Sequence, residues 1–401
     1  MRGMSRPRQK ILFIVLDGAA DVGKKTPLSE AFTPNLDFLA QHSYCGIWTG
    51  PVAEKGYNIK SMSEVAILEL LGYNPWDSPG RGLLEALGIG LKPKANAVYL
   101  RANFATVGKD WKILDRRAGR DDSGLDALAK ALSMEISGIK FKFYRSLGHR
   151  GVLELSGKGL SPDVDDSDIG GAKPAAIHSH SKAGMKTTQV LNEFMKRSHA
   201  VLSAHPANKK RKFSANFVLI RGAGKMKKIT PFEKKFGMIG CAIAADGLVK
   251  GAARYVGMHV VEVEGATGDT DTNIEGKLEA AFDELERHDF ALLHIKGTDV
   301  CSHAKDRECK KKFIERLDSE VFSRLLRRKF IHVALTCDHV TNSKTGEHEF
   351  GPVPYLIYLA GDGNNKIRRF TEQDCRRGFI ARNPMEKFLL TCCAPEYHKV
   401  T

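Results

Sequence analysis

Residues 11–17 read Ile11-Leu12-Phe13-Ile14-Val15-Leu16-Asp17, an unbroken apolar run that ends on a carboxylate. Such a run suits a strand buried on both faces, because a half-exposed strand alternates polar and apolar positions. Strands covered on both faces belong to parallel sheets flanked by helices, so this stretch sets the expectation of an α/β fold.

Working outward, Thr33-Pro34 is a helix start, and Leu36, Leu39 and Ala40 follow at helical spacing. A second helix opens near Ser63, with Val65, Ala66, Leu68, Leu70 and Leu71 apolar, and ends before Gly72 and Pro75. In the C-terminal half, short apolar runs recur at Val260 to Val263, Phe290 to Ile295, Ile331 to Leu335 and Tyr355 to Leu359. Amphipathic segments, Ile274 to Arg287 and Phe313 to Arg328, lie between them. Strands alternating with helices predict a mainly parallel sheet covered on both faces. From Lys92 to Gly224 the character changes to Gly/Asp/Ser-rich loops, with helices expected at Leu125 to Leu132 and Thr187 to Leu202. We therefore expect a discontinuous core domain, 1–91 and 225–401, interrupted by a smaller inserted α/β domain, 92–224.

The chain has 401 residues, 42% hydrophobic and 27% charged, a soluble globular profile with room for two domains. No apolar run approaches the roughly 18 residues that span a bilayer, so no membrane partner is expected. The basic segment Met1 to Lys10 leads into an apolar run that stops at Asp17 without a small-residue cleavage site, which argues against a signal peptide. Eight cysteines without a CxxC pair point to free thiols and a cytoplasmic setting. The net charge of +15 favours an anionic partner. The densest basic stretch, from Lys209-Lys210-Arg211-Lys212 to Lys234-Lys235, does not alternate basic with aromatic residues as a stacking platform for single strands would, so nucleic acid is disfavoured. It otherwise reads as a solvated loop.

Three apolar runs end in metal-type side chains. The first delivers Asp17, the run ending at Ile295 delivers Asp299 and His303, and the run Ile331 to Leu335 delivers Asp338-His339. In an open parallel sheet the carboxyl ends of the strands share one edge, so these residues can converge. Carboxylate with imidazole suits Zn, Mn, Co or Fe. A single Asp after a strand commonly just caps the next helix; three strand ends finishing alike argue for a site. Ser63 opens a helix, where free backbone N–H groups favour an anion, and is the candidate nucleophile; an N-capping serine fits the same position, and Ser61 competes with it.

The order Asp17, Ser63, Asp299-x-x-x-His303, Asp338-His339, His348 resembles the cofactor-independent phosphoglycerate mutases of the alkaline-phosphatase superfamily, in their archaeal branch. Thr33-Pro34-Asn35-Leu36-Asp37, Leu70-Leu71-Gly72-Tyr73-Asn74-Pro75, Arg221-Gly222-Ala223-Gly224 and Asp271-Thr272-Asn273 carry the likeness over nearly the whole chain. The resemblance implies an alkaline-phosphatase-like sheet and two divalent metal ions: Mn, Co or Zn, with Mg admitted. Asp17, Ser63, Asp338 and His339 would hold one, and Asp299, His303 and His348 the other. It implies interconversion of 3-phosphoglycerate and 2-phosphoglycerate, a step of glycolysis and gluconeogenesis, through a phosphoserine at Ser63 and without 2,3-bisphosphoglycerate. The small phosphorylated substrate would meet Arg101, Arg120, His149, Arg150, Arg221 and Lys250. Lys296 would stand behind the ligands, and Cys301 and Cys337 would be mere neighbours.

The chain departs from that branch at Met62-Ser63-Glu64, where Gly-Ser-Asp is usual, and at Ser302, where a glycine is usual. A phosphatase or another phosphomutase of the superfamily, and a non-catalytic basic binding protein on the same fold, are the competing readings. Self-association into a homo-oligomer stays open.

Overall fold

The computed structural model describes residues 10–49, 62–328, 331–359, 366–381, 386 and 388–389. The chain forms two compact units, Met1–Ser78 with Ile229–Thr401, and Pro79–Lys228. The second unit opens ahead of the expected residue 92 and takes in the helix Arg81–Gly88.

The first unit is built on an eight-stranded sheet in the order His259–Val261, Gly240–Ile243, Phe290–Ile295, Lys10–Leu16, Ile331–Thr336, Val353–Tyr358, Tyr44–Trp48, Phe379–Ala381. All run the same way except Val353–Tyr358, which is antiparallel to both neighbours. Lys10–Leu16 lies in the middle, and its residues from Ile11 onward are buried. The apolar run thus marks a central strand. Its register pairs Leu16 with Ile295 and Val15 with Thr336, so the three strands stop together and their next residues emerge at one edge. The expected strand Tyr355 to Leu359 is Val353–Tyr358, and the expected helix Phe313 to Arg328 is Arg307–Leu317, a π turn at Asp318–Phe322 and Ser323–Leu325.

The second unit carries a six-stranded antiparallel sheet. Its central strand, Ala97–Val107, is buried at every position and pairs with Arg150–Ser156 and Phe217–Gly224. Helices Leu125–Ala131 and Met185–Ala204 supply Leu125, Leu128, Val190, Leu191 and Phe194 to its core, and Phe194 stacks on Phe141 at 4.8 Å.

The expectation of free thiols fails at one pair. Cys301 and Cys309 form a disulfide, with Cα atoms 5.5 Å apart. A short turn folds the helix Arg307–Leu317 back onto Gly297–His303, a proximity that spacing in sequence does not reveal. Cys45, Cys241, Cys337 and Cys375 are free and buried. No helix among the described residues is long and apolar enough to cross a membrane.

Lys310, with no exposed surface, ties the loops behind the central strands together. Its Nζ donates to the Ala20 carbonyl at 3.1 Å, Asp21 Oδ2 at 3.0 Å and the Thr341 carbonyl at 2.8 Å. Burial lowers its pKa, against the pull of Asp21. Removing one partner of a buried pair strands the other charge, a loss of about 3–5 kcal/mol. Lys310→Met should therefore lower the urea unfolding free energy by about that amount. The double variant Asp21→Asn/Lys310→Met should lose less than the sum of the single effects; additive losses would contradict the pairing.

Candidate functional site

Asp17 directly follows the central strand, and its N–H continues the ladder to the Ile295 carbonyl at 2.9 Å. The next residue, Gly18, turns with φ +64, and its N–H donates to Asp338 Oδ1 at 3.0 Å. Asp299 lies in the first turn of the helix Gly297–His303, which begins just past the strand Phe290–Ile295. Asp338-His339 follows Ile331–Thr336, and His348 arrives on the short hairpin Val340–Thr341/His348–Glu349. Ser63 is carried by the helix Met62–Leu70. Ser61 lies outside the described residues.

These elements place the candidate ligands in one cluster. One ligand atom each from Asp17, Asp338 and His339 lies within 4.8 Å of the others, and so do those of Asp299, His339 and His348. His303, with its side chain 47% exposed, reaches Asp299 Oδ1 through Nε2 at 3.4 Å. Ser63 Oγ is 3.1 Å from His339 Nε2. The His339 ring therefore borders both groups rather than one.

Hydrogen bonds assign the imidazole roles. Thr341 Oγ1 donates to Asp299 Oδ1 at 3.1 Å, so its oxygen accepts from His339 Nδ1–H at 3.0 Å. The Nε2 lone pair of His339 is then turned toward Ser63 and the carboxylates. In the same way His303 Nδ1–H donates to the Gly346 carbonyl at 2.7 Å, leaving Nε2 on the Asp299 side. Thr341 and Gly346 have no signal in the sequence. Nor does His294, hidden in an apolar strand, whose Nε2 is 3.4 Å from Asp17 Oδ2.

The electrostatics centre on Lys296. Its Nζ lies 2.6 Å from Asp17 Oδ2, 2.9 Å from Asp299 Oδ2 and 3.8 Å from Asp246 Oδ2. Burial works against its charge, but these carboxylates hold its pKa well above the usual lysine value. Burial would raise Asp299, yet Lys296 and then His348 hold it well below the usual carboxylate range; Asp17 is lowered likewise. Asp338 lacks such a partner. Burial, then the charge of Asp17, pushes it up to about 8. Burial also lowers His339, which keeps its imidazole neutral.

Two buried carboxylates thus share one ammonium, and a third, Asp338, is buried beside them without it. In addition, Asp17 Oδ1 is buried without a hydrogen-bond partner, and His348 Nε2 has nothing nearer than Asp299 Oδ1 at 3.4 Å. Unpaired acceptors and surplus negative charge are costly in an interior. A divalent cation corrects both, and the nitrogen–oxygen donor set suits a transition-type ion. The residues present fit the group. Departure from the family pattern does no visible harm at Ser302, which is buried inside the ligand helix and donates to the Thr298 carbonyl at 2.9 Å.

The other expected contacts fall mostly in the second unit. Arg101 and Arg221 are paired across adjacent strands. Arg101 is buried, donates from Nη1 to Glu85 Oε1 at 2.8 Å, and is lowered to about 9 by burial. Its Nε and that of Arg221 have no hydrogen-bond partner. His149 is pushed down to about 4 by burial and by Arg150, Arg101 and Arg120, so this unit gathers positive charge in one place. Arg120 and Arg150 are exposed. Lys250 belongs to the first unit, where it pairs with Glu262 at 2.6 Å.

A family model described as 2,3-bisphosphoglycerate-independent phosphoglycerate mutase matches residues 40–208. An Archaeoglobus fulgidus protein named 2,3-bisphosphoglycerate-independent phosphoglycerate mutase 1 is 39% identical, covering 93% of this chain and 94% of its own. The solved cofactor-independent phosphoglycerate mutase from Thermoplasma acidophilum is 32% identical with a TM-score of 0.65, over 96% of this chain and all of that one (100%). A solved Pyrococcus horikoshii protein superposes with a TM-score of 0.79 at 29% identity, covering 96% of this chain and 97% of its own.

Gly18 has no room for a side chain. A Cβ there would lie 2.6 Å from Thr341 Oγ1 and 2.9 Å from Asp299 Cβ and Oδ1. Gly18→Ala should push Asp299 and its Thr341 support apart, weakening Mn2+ binding by about 10- to 100-fold in calorimetric titration. Its far-ultraviolet circular dichroism should stay native. Unchanged Mn2+ affinity would show that Asp299 does not depend on this close approach.

Proposed function

The chain belongs to the 2,3-bisphosphoglycerate-independent phosphoglycerate mutases, and from that premise we propose that it is an isomerase interconverting 3-phosphoglycerate and 2-phosphoglycerate through a phosphoserine at Ser63. The observation that carries this reading is Ser63 Oγ, 3.1 Å from His339 Nε2 within the carboxylate–imidazole cluster. It favours transfer through an enzyme-bound phosphate over a binding role on the same fold.

Asp17, Ser63, Asp338 and His339 are the proposed holders of one divalent ion, and Asp299, His303 and His348 of a second. Bound ions there supply charge neutralisation for phosphoryl oxygens and a lowered pKa for the Ser63 hydroxyl. Ser63 Oγ gives up its proton and attacks the phosphorus of 3-phosphoglycerate, the bond from phosphorus to the substrate's O3 breaks, and that oxygen takes up a proton. In the second half the 2-hydroxyl oxygen attacks the phosphoserine, loses its proton, and Ser63 Oγ leaves and is reprotonated. The same phosphate returns to the same glycerate, so no bisphosphoglycerate is required. His339 orients Ser63 Oγ; Thr341 fixes the ring that does so. Lys296 keeps Asp17 and Asp299 ionised. The arginines of the second unit, Arg101, Arg120, Arg150 and Arg221, with His149, are proposed to grip anionic groups of the substrate, since guanidinium pairs bidentately with carboxylate and phosphate. Lys250 is the weakest of the proposed contacts because Glu262 already engages it.

The test is a coupled assay for 2-phosphoglycerate on Mn2+-loaded protein, with mass spectrometry of quenched samples. Wild type should turn over and carry phosphate on Ser63, and Ser63→Ala should lose about four or more orders of magnitude in turnover. Arg221→Ala should shift products from 2-phosphoglycerate toward glycerate and inorganic phosphate, by about 30-fold or more for a lost charged contact. Release of inorganic phosphate from 3-phosphoglycerate by wild type, with no 2-phosphoglycerate formed, would make the chain a phosphatase.

A further inference from the structure

The sheet of the first unit holds a second group of metal-type side chains at its other edge. Cys241 is the second residue of the strand Gly240–Ile243. Glu284 stands in the last turn of the helix Ile274–Arg287, and His288 immediately follows that helix. The parallel register pairs Cys241 with Ala291, near the start of Phe290–Ile295. The group therefore lies at the amino ends of the strands, whereas Asp17, Asp299 and Asp338 follow their carboxyl ends. One ligand atom each from Cys241, Glu284 and His288 lies within 4.8 Å of the others. Cys241 and Glu284 are buried and His288 is half-buried.

We propose that Cys241, Glu284 and His288 bind a zinc ion that pins the Gly240–Ile243 strand to the end of the Ile274–Arg287 helix. The spacing from Glu284 to His288 is i,i+4, which puts both donors on one face of a helix end. A second imidazole adjoins the group. His259 is the register partner of Cys241, so the two side chains share a face of the sheet, and its ring stacks on His288 at 5.8 Å between centroids. His259 is exposed, and a tetrahedral zinc held by the three residues would leave its fourth position for water or that imidazole.

An ion pair explains part of this arrangement but not all of it. Glu284 Oε2 lies 3.0 Å from His288 Nδ1, that nitrogen is 3.1 Å from the Glu284 carbonyl, and Glu284 Oε1 accepts from Arg287 at 2.6 Å. These contacts account for the carboxylate and the imidazole. They leave a buried thiol facing a carboxylate, and burial, then the Glu284 charge, pushes that thiol up to about 12. A zinc ion reverses the relation: the thiol proton goes to solvent, a Zn–S bond forms, and thiolate and carboxylate both face positive charge. Thiolate with imidazole and carboxylate selects Zn2+ or Co2+ over Mg2+ or Mn2+, so this site would refuse the Mn2+ that the all nitrogen–oxygen cluster accepts.

Cobalt chloride added to chelator-stripped, full-length protein is the probe, because a thiolate-to-cobalt charge-transfer band in the near ultraviolet reports a sulfur ligand. Wild type should develop the band and bind one zinc per chain that Mn2+ does not displace. Cys241→Ala and the half-exposed His288→Gln should each lose both, and His288→Gln should keep its turnover with Mn2+. Should Cys241→Ala fail to fold, His288→Gln decides alone. A wild type without the band, or a band unchanged in His288→Gln, would overturn the proposal.

Discussion

Three carboxylates, Asp17, Asp299 and Asp338, are buried close together, and the ammonium of Lys296 pairs with two of them, Asp17 and Asp299. Isolated charges in an interior are costly, so a chain that buries this many must give them a compensating charge. Lys296 does so for Asp17 and Asp299, which stay ionised. Asp338 is held up at about 8, left with burial and the repulsion of Asp17. The surplus anionic charge, the unpartnered Asp17 Oδ1 and the long 3.4 Å approach of His348 Nε2 to Asp299 are the features a divalent cation satisfies. Imidazole orientation, serine placement and the left-handed turn at Gly18 are arranged around that requirement.

The sheet is what allows it. Lys10–Leu16 lies between Phe290–Ile295 and Ile331–Thr336 in parallel register, so residues distant in sequence leave the sheet side by side. Each strand end then needs its own local support. Gly18 supplies the turn and an N–H for Asp338, Thr341 links His339 to Asp299, and Lys310 holds the loops from beneath. Function here follows from register before it follows from any single side chain.

Those features were unevenly legible in the sequence. The apolar run ending at Asp17 marks the central strand, because burial on both faces leaves an unbroken pattern that few other environments produce. The helix at Ile274–Arg287 is equally plain, since its apolar spacing follows the helical period. The antiparallel sheet of the second unit was not, because its strands are separated by polar turns that read as loops. Thr341, Gly346 and His294 were invisible for another reason: each acts through a hydrogen bond or close contact to a residue elsewhere in the chain, and nothing in their own neighbourhood marks it. The Cys301–Cys309 bond escaped likewise, being set by how one helix folds back on another.

The central claim is that the buried carboxylates and imidazoles hold two divalent ions beside Ser63. Anomalous diffraction from crystals soaked in manganese chloride tests it most directly. The account predicts two peaks about 3.5–4 Å apart, one against Asp17, Asp338 and His339 and the other against Asp299 and His348. No peak, or a single ion bound away from these residues, would contradict it.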